Sequence, residues 1–208
     1  TGSGKSTVVN LIPRFYDASA GQVCFFGQDV RKYRRKELRN QIGIVPQKAV
    51  LFAGTVRENM QWGKKDATDE EIWEALKTAQ AEEFIRAKEG GLDANIEQGG
   101  RNLSGGQRQR LTIARALVKK PRVLILDDSA SALDYATDAA LRKAIRQMEG
   151  APTVFIVSQR TSSLMSADRI LVLDDGEATG YGTHEELLKN CQTYREIYNS
   201  QYGKKEEA

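Results

Sequence analysis

The first residues of the chain, Thr1-Gly-Ser-Gly-Lys-Ser-Thr7, have the types and spacing of a loop that holds phosphate. They match the end of the pattern G-x-x-x-x-G-K-[ST], whose opening glycine would lie two positions before Thr1. Gly2 and Gly4 let backbone N–H groups approach an anion with no Cβ in the way. A helix starting just after them turns its positive end toward the same anion. Lys5 is placed to reach the β- and γ-phosphates of a nucleotide, and the Ser6 hydroxyl to ligate Mg²⁺, with Thr1, Ser3 and Thr7 completing the loop. A glycine- and serine-rich linker would share the composition. Here Val8, Leu11 and Ile12 follow at helical spacing, and the helix is expected to end near Pro13. Such a loop needs a metal-holding acid at the end of a buried strand. Val123-Leu-Ile-Leu-Asp127 offers one in Asp127. An ordinary turn residue at a strand end would look the same in isolation; the phosphate loop gives Asp127 its meaning.

The elements that must position these groups read as an α/β domain. Val123-Leu-Ile-Leu126 and Val154-Phe-Ile-Val157 are continuously apolar, as expected of parallel strands buried on both faces, and Ile42-Gly-Ile-Val45 is a third candidate. Between these strands, residues 69–117 read as mostly helical. Ile72, Leu76 and Ala79 form one stripe, and Leu111, Ala114, Leu117 and Val118 another. A helical subdomain over about 66–118 is therefore expected inside a mainly parallel sheet flanked by helices. Ile170-Leu-Val-Leu173 and the turn residues Asp174-Asp-Gly176 predict a late strand and hairpin. Thr183 with Glu186 marks the capped start of a helical tail.

Composition narrows the classes. The 208 residues suit one domain, and 40% hydrophobic with 28% charged residues is the balance of a globular protein. The apolar run Ala49-Val-Leu-Phe-Ala53 is far shorter than the roughly 18 residues of a membrane helix. A net charge of +3 gives no argument for nucleic acid, and the basic run Arg31-Lys-Tyr-Arg-Arg-Lys36 reads as a solvated surface. Cys24 and Cys191 have no metal spacing and read as free thiols of a reducing compartment.

Phosphate loop and strand acid together leave many nucleotide-binding families open. Asn102-Leu-Ser-Gly-Gly-Gln-Arg-Gln-Arg110 is far more specific: it resembles the signature sequence of ABC ATPases, with Leu103, Ser104, Gly105, Gly106 and Gln107 as its core. Ser104 and the glycines open a helix, so the chain has a second anion-binding helix terminus. Two chains packed head to tail have a use for it, each signature closing on ATP held by the other. Gln47, in Val45-Pro-Gln47, resembles the Q-loop glutamine that contacts Mg²⁺ and the membrane domain. Ser131-Ala-Leu-Asp134 resembles the D-loop, with Asp134 at the dimer seam. Leu51-Phe-Ala-Gly-Thr-Val-Arg-Glu-Asn59 and Gly182-Thr-His-Glu-Glu-Leu-Leu188 are similar to exporter-type members; Glu97-Gln-Gly-Gly100 matches the exporter x-loop only loosely. The resemblance implies an ABC ATPase with the P-loop NTPase fold, ATP and Mg²⁺ as cofactors (the metal held by Ser6, Gln47 and Asp127), and a place on the cytoplasmic face of a bacterial membrane. It also implies a membrane domain, expected upstream, and opening strands with an adenine-stacking aromatic residue that this sequence lacks.

The chain departs from the family pattern at both positions that act on the attacking water and the γ-phosphate. Asp128 stands where the family has a glutamate base, and Gln159, in Val157-Ser-Gln-Arg160, where it has the switch histidine. Aspartate is one methylene shorter, and an amide can neither carry charge nor shuttle a proton. With the signature intact, this resembles the degenerate-site subunit of a heterodimeric, multidrug-type ABC exporter. Its own Asp128 and Gln159 would hydrolyse poorly while its signature completes the partner's site. His184, the one histidine, reads as structural. Two other assemblies share these motifs. One is the ATP-binding component of an importer, distinguished by separate membrane subunits. The other is a soluble ABC ATPase acting on nucleic acid or the ribosome, against which the lack of a coiled-coil insertion and of a second motif set counts.

Overall fold

The computed structural model describes residues 3–203. Thr1 and Gly2 of the phosphate loop, the 204–208 tail and the side chains of Ala130 and Ser131 lie outside the described residues. At its centre are three parallel strands, β3 (Ile42–Val45), β6 (Val123–Asp127) and β7 (Thr153–Val157), in the order β3-β6-β7. Ile42 lies opposite Val123, and Asp127 opposite Val157. Three short or peripheral pairs complete the strands: β1 (Cys24–Phe25) with β2 (Gln28–Asp29), β4 (Gly54–Thr55) with β5 (Asn95–Ile96), and β8 (Ile170–Asp174) with β9 (Glu177–Gly182), all antiparallel. The helices are α1 (Lys5–Leu11), α2 (Arg35–Asn40), α3 (Val56–Gln61), α4 (Asp69–Thr78), α5 (Glu82–Arg86), α6 (Gly105–Leu117), α7 (Tyr135–Arg146), α8 (His184–Asn190) and α9 (Gln192–Tyr202).

Side-chain alternation along β6 assigns the layers. Val123 and Ile125 point to a core shared with Ile42, Val9 of α1 and Leu38 of α2. Leu124 and Leu126 point to the other face, where Met60, Ile72, Leu76, Leu111, Ile113, Leu141 and Ile145 bury a larger core. The structure is thus the α/β, P-loop NTPase arrangement expected: helices on both faces of a parallel sheet. The segment expected to be helical carries α4, α5 and α6, and β5 returns from it to pair with β4. Its apolar stripes belong to the same core as the sheet. Each fully buried leucine or isoleucine there contributes about 1.5–3 kcal/mol, so helices and sheet stabilise one another. Thr55, Thr68, Ser104 and Thr183 close capping boxes at the starts of α3, α4, α6 and α8.

The expectation that β7 is buried on both faces is corrected. Among the described residues β7 is an outer strand, paired only with β6. Val154 and Ile156 pack on the larger core and Val157 meets the smaller one, but Phe155 is 39% exposed. The short helix α1 covers the Val157 end and leaves the middle of that face open. Between β8 and β9, Asp175 and Gly176 both have positive φ (44° and 82°), the geometry of a two-residue type I′ turn. No helix of the described residues is long and apolar enough to cross a membrane.

Candidate functional site

Parallel strands present their carboxyl ends, and the loops that follow them, on one edge of the sheet, where ligands of open α/β folds bind. Here β3 is followed by Gln47, β6 ends in Asp127 and continues into Asp128, and β7 is followed by Gln159. The phosphate loop meets the same edge. Gly4 has φ +81°, a conformation that glycine adopts without strain, and it opens α1. The Ser6 hydroxyl donates to Asp127 Oδ1 at 3.1 Å, and Lys5 Nζ donates to Ser3 Oγ. Gln47 Nε2 donates to Asp128 Oδ2 at 3.2 Å, joining residues 81 positions apart. Ser3, Lys5, Gln159, Asp174 and Asp175 line one groove of about 590 Å³.

The strand register explains how Asp128 is aimed. Its backbone N–H donates to Val157 O at 2.9 Å, one step beyond the last ladder pair, and its φ is +46°. A left-handed backbone is tolerated better by aspartate and asparagine than by longer side chains. The chain therefore turns sharply out of β6, which sends the Asp128 carboxylate to Gln47 while Asp127 faces Ser6.

Among the described residues no three His, Cys, Asp or Glu side chains gather to hold a metal by themselves. The donor set suits Mg²⁺ nonetheless. Magnesium is a hard cation that takes one or two protein oxygens, keeps several waters and completes its shell with phosphate. Ser6 Oγ and Asp127 Oδ1 are such oxygens, already side by side. Gln47 bonds to Asp128 rather than to Asp127, so it stands across the site from that pair.

The second anion-binding element is built separately. Ser104 caps α6: its Oγ accepts from the Gln107 N–H at 3.2 Å, and Gln107 Oε1 accepts from the Ser104 N–H at 3.0 Å. Leu103 is buried and anchors this turn. A Cβ on Gly106 would lie 3.4 Å from the Ala132 carbonyl, so the signature packs against the D-loop turn with little room to spare. Gly105 and Gly106 leave the first two positions of α6 without side chains. Asp134 caps α7, accepting from the Thr137 N–H at 2.9 Å and its hydroxyl at 2.7 Å, and these bonds hold the carboxyl below its ordinary range. Asp134 thus has a structural use on this chain.

His184 Nδ1 is 2.8 Å from the hydroxyl of buried Tyr194, which ties α8 to α9. Cys24 is exposed, Cys191 is buried, and both are free. One residue near the site carries no sequence signal. Gln201 of α9 donates to the Gln159 carbonyl at 2.7 Å, forty-two positions away. A glutamine in a polar helical tail matches no pattern, and only the fold brings the two together.

Comparison with known proteins places this geometry. The family described as ABC transporter matches residues 1–131. The chain is 48% identical over 204 residues to YfiB of Bacillus subtilis, an uncharacterized ABC transporter ATP-binding protein, covering 98% of this chain and 35% of that one. It is 43% identical over 201 residues to YgaD of the same organism, proposed to be a multidrug export ATP-binding/permease protein, with 97% and 35% covered. A solved structure of a bacterial Atm1-family ABC exporter with ATP bound superposes with a TM-score of 0.91 at 37% identity, over 97% of this chain and 35% of that one. The chain therefore spans about a third of the length of the relatives it matches. With a phosphate loop, a strand-end acid and a glycine-opened signature helix in this arrangement, and with these relatives, the chain belongs to the ABC transporter family and is similar to the ATP-binding part of its exporters.

Proposed function

We propose that this domain is the ATP-binding motor of an ABC exporter, pairing head to tail with a second, non-identical ABC ATPase domain. The observation that carries the reading is the double link Ser6–Asp127 and Gln47–Asp128, which sets the phosphate loop, the strand acid and the Q-loop around one point. Ser6 and Asp127 would hold Mg²⁺, which neutralises charge on the phosphate oxygens when bound. Lys5 would pair with the β- and γ-phosphates, and the backbone N–H groups of the loop would cradle them. Asp128 would orient water as a weak base, set back by one methylene, and Gln159 would meet the γ-phosphate with a neutral amide. A misplacement of about 1 Å can cost roughly 100-fold in rate, which makes this a slow site. The first turn of α6, with Ser104, Gly105, Gly106 and Gln107, would close the partner's faster site.

The membrane domain would dock beside α3. Trp62 is 70% exposed, its ring 4.9 Å from that of Phe52, itself exposed. Beneath them Arg115 gives Nη2 to the Val50 carbonyl at 2.8 Å, while its buried Nη1 has no hydrogen-bond partner. An exposed aromatic pair suits the apolar face of a helix from the membrane domain. The ATP-binding/permease name of YgaD supports a fused membrane domain over the separate subunits of an importer. The test is the steady-state ATPase rate of the full-length protein, alone and with its partner. Mixing is expected to raise turnover well above that of either chain alone. A homodimer with full turnover would overturn the degenerate-site reading.

A further inference from the structure

The loop after β7 is held from the far end of the chain. Beyond Val157 no strand ladder continues, and Ser158 Oγ accepts the Arg160 N–H at 3.0 Å. Three further polar groups of the loop are met by one side chain of α9. Gln201 Oε1 accepts from both the N–H and the hydroxyl of Thr161, each at 3.0 Å, and Gln201 Nε2 donates to the Gln159 carbonyl at 2.7 Å. The amide orientation follows from chemistry, since a flipped amide would set its N–H groups against the Thr161 N–H and its oxygen against a carbonyl. Thr161 is only 2% exposed, so water is a poor substitute for these bonds. The helix that provides Gln201 is itself fixed, by Tyr194 against His184 and by the apolar cluster of Ile170, Val172 and Leu187.

We propose that Gln201 is a positioning residue of the nucleotide site: it clamps the peptide from Gln159 to Thr161 and so sets where the Gln159 amide meets the γ-phosphate. The inference rests on the reading of Gln159 as the γ-phosphate contact. It makes the C-terminal helix part of the nucleotide site, so that movement of α9 changes how the site distinguishes nucleoside triphosphate from diphosphate.

The test uses the full-length transporter assembly with its second nucleotide site disabled, and measures dissociation constants for Mg·AMP-PNP and Mg·ADP. Gln159→Ala is expected to weaken AMP-PNP about tenfold with ADP unchanged, since a hydrogen bond to a charged oxygen is lost. Gln201→Ala should reproduce most of that selective loss. Gln201→Glu keeps the size and the acceptor for Thr161 but sets an oxygen against the Gln159 carbonyl, and it too should lose selectivity, with Tm within about 2 °C of wild type. The double variant Gln159→Ala/Gln201→Ala should be no worse than Gln159→Ala alone, because both changes act through one contact. If Gln159→Ala lowers the AMP-PNP preference and the Gln201 variants do not, the clamp has no positioning role. If Gln159→Ala leaves the preference unchanged, the γ-phosphate reading fails and the proposal with it.

Discussion

At the scale of single residues, the two halves of the site should respond differently to damage. Ser104→Arg places bulk and charge at the first turn of α6, where a helix end should face the partner's γ-phosphate. We expect turnover of the assembled transporter to fall about 100-fold. Asp128→Asn should do much less if, as proposed, a carboxylate one methylene short acts only as a poor base. Equal loss from both in a steady-state ATPase assay would mean that Asp128 is a working base. Restoring Asp128→Glu with Gln159→His is expected to raise hydrolysis at this site, at a small cost in stability, since glutamate is less at ease than aspartate at φ +46°. Lys5→Ala should weaken ATP binding roughly tenfold or more by titration calorimetry, through loss of a charge-assisted contact to phosphate. These residues stand out in the sequence as candidates because phosphate and metal chemistry demands particular types at particular spacings. Gln201 does not, because its three hydrogen bonds depend on a helix returning to a loop forty positions earlier, and glutamine has no spacing of its own.

At the scale of elements, the packing of α6 is the main constraint. A Cβ at Gly63, just after α3, would lie 2.1 Å from the Arg115 carbonyl and 2.8 Å from Val118 Cγ1. Gly63→Ala should therefore push α3 away from α6 and cost about 1–3 kcal/mol, read as a lower denaturation midpoint at unchanged slope. The cap of α7 offers a pH signature. The Thr137 bonds depress the Asp134 pKa, so Asp134 adds stability above its unfolded-state value and loses it as pH falls through the lower folded value. The Tm gap between wild type and Asp134→Asn should be constant from neutral pH to about 5 and shrink on acidification below about 4. A gap that grows in acid would contradict the assigned bonds. The helices of residues 69–117 and the central strands were visible as apolar stripes and runs, the tail helix from its capping box and the hairpin from its Asp-Gly turn, whereas α2 and α7 were not read. The two-residue strands β1, β2, β4 and β5 were not, since alternation needs more residues to appear. The exposure of β7 was hidden for another reason: an apolar run reports affinity for a core, and what covers each face is decided elsewhere in the chain.

At the scale of the whole molecule, an ATP-binding domain is useful only if its motions reach the membrane, and the surface for that must be exposed on the isolated chain. Trp62 is one of the most exposed large side chains among the described residues, an indole left 70% open beside Phe52. Lone exposed apolar residues are common, but an exposed aromatic pair leaves a joined apolar area for a partner to cover. Trp62→Ser removes the platform without opening the core, so the domain's own stability should change by no more than about 0.5 kcal/mol. Nucleotide binding, proposed for the loops around Ser6, Asp127 and Gln159, should be unchanged. In the full-length transporter the same change is expected to uncouple the two activities: basal ATP turnover persists while its stimulation by transported substrate falls severalfold. Arg115→Leu removes the orphan donor together with its bond to Val50, and should weaken coupling in the same sense. Full substrate stimulation in Trp62→Ser would exclude this face as the place where the membrane domain docks.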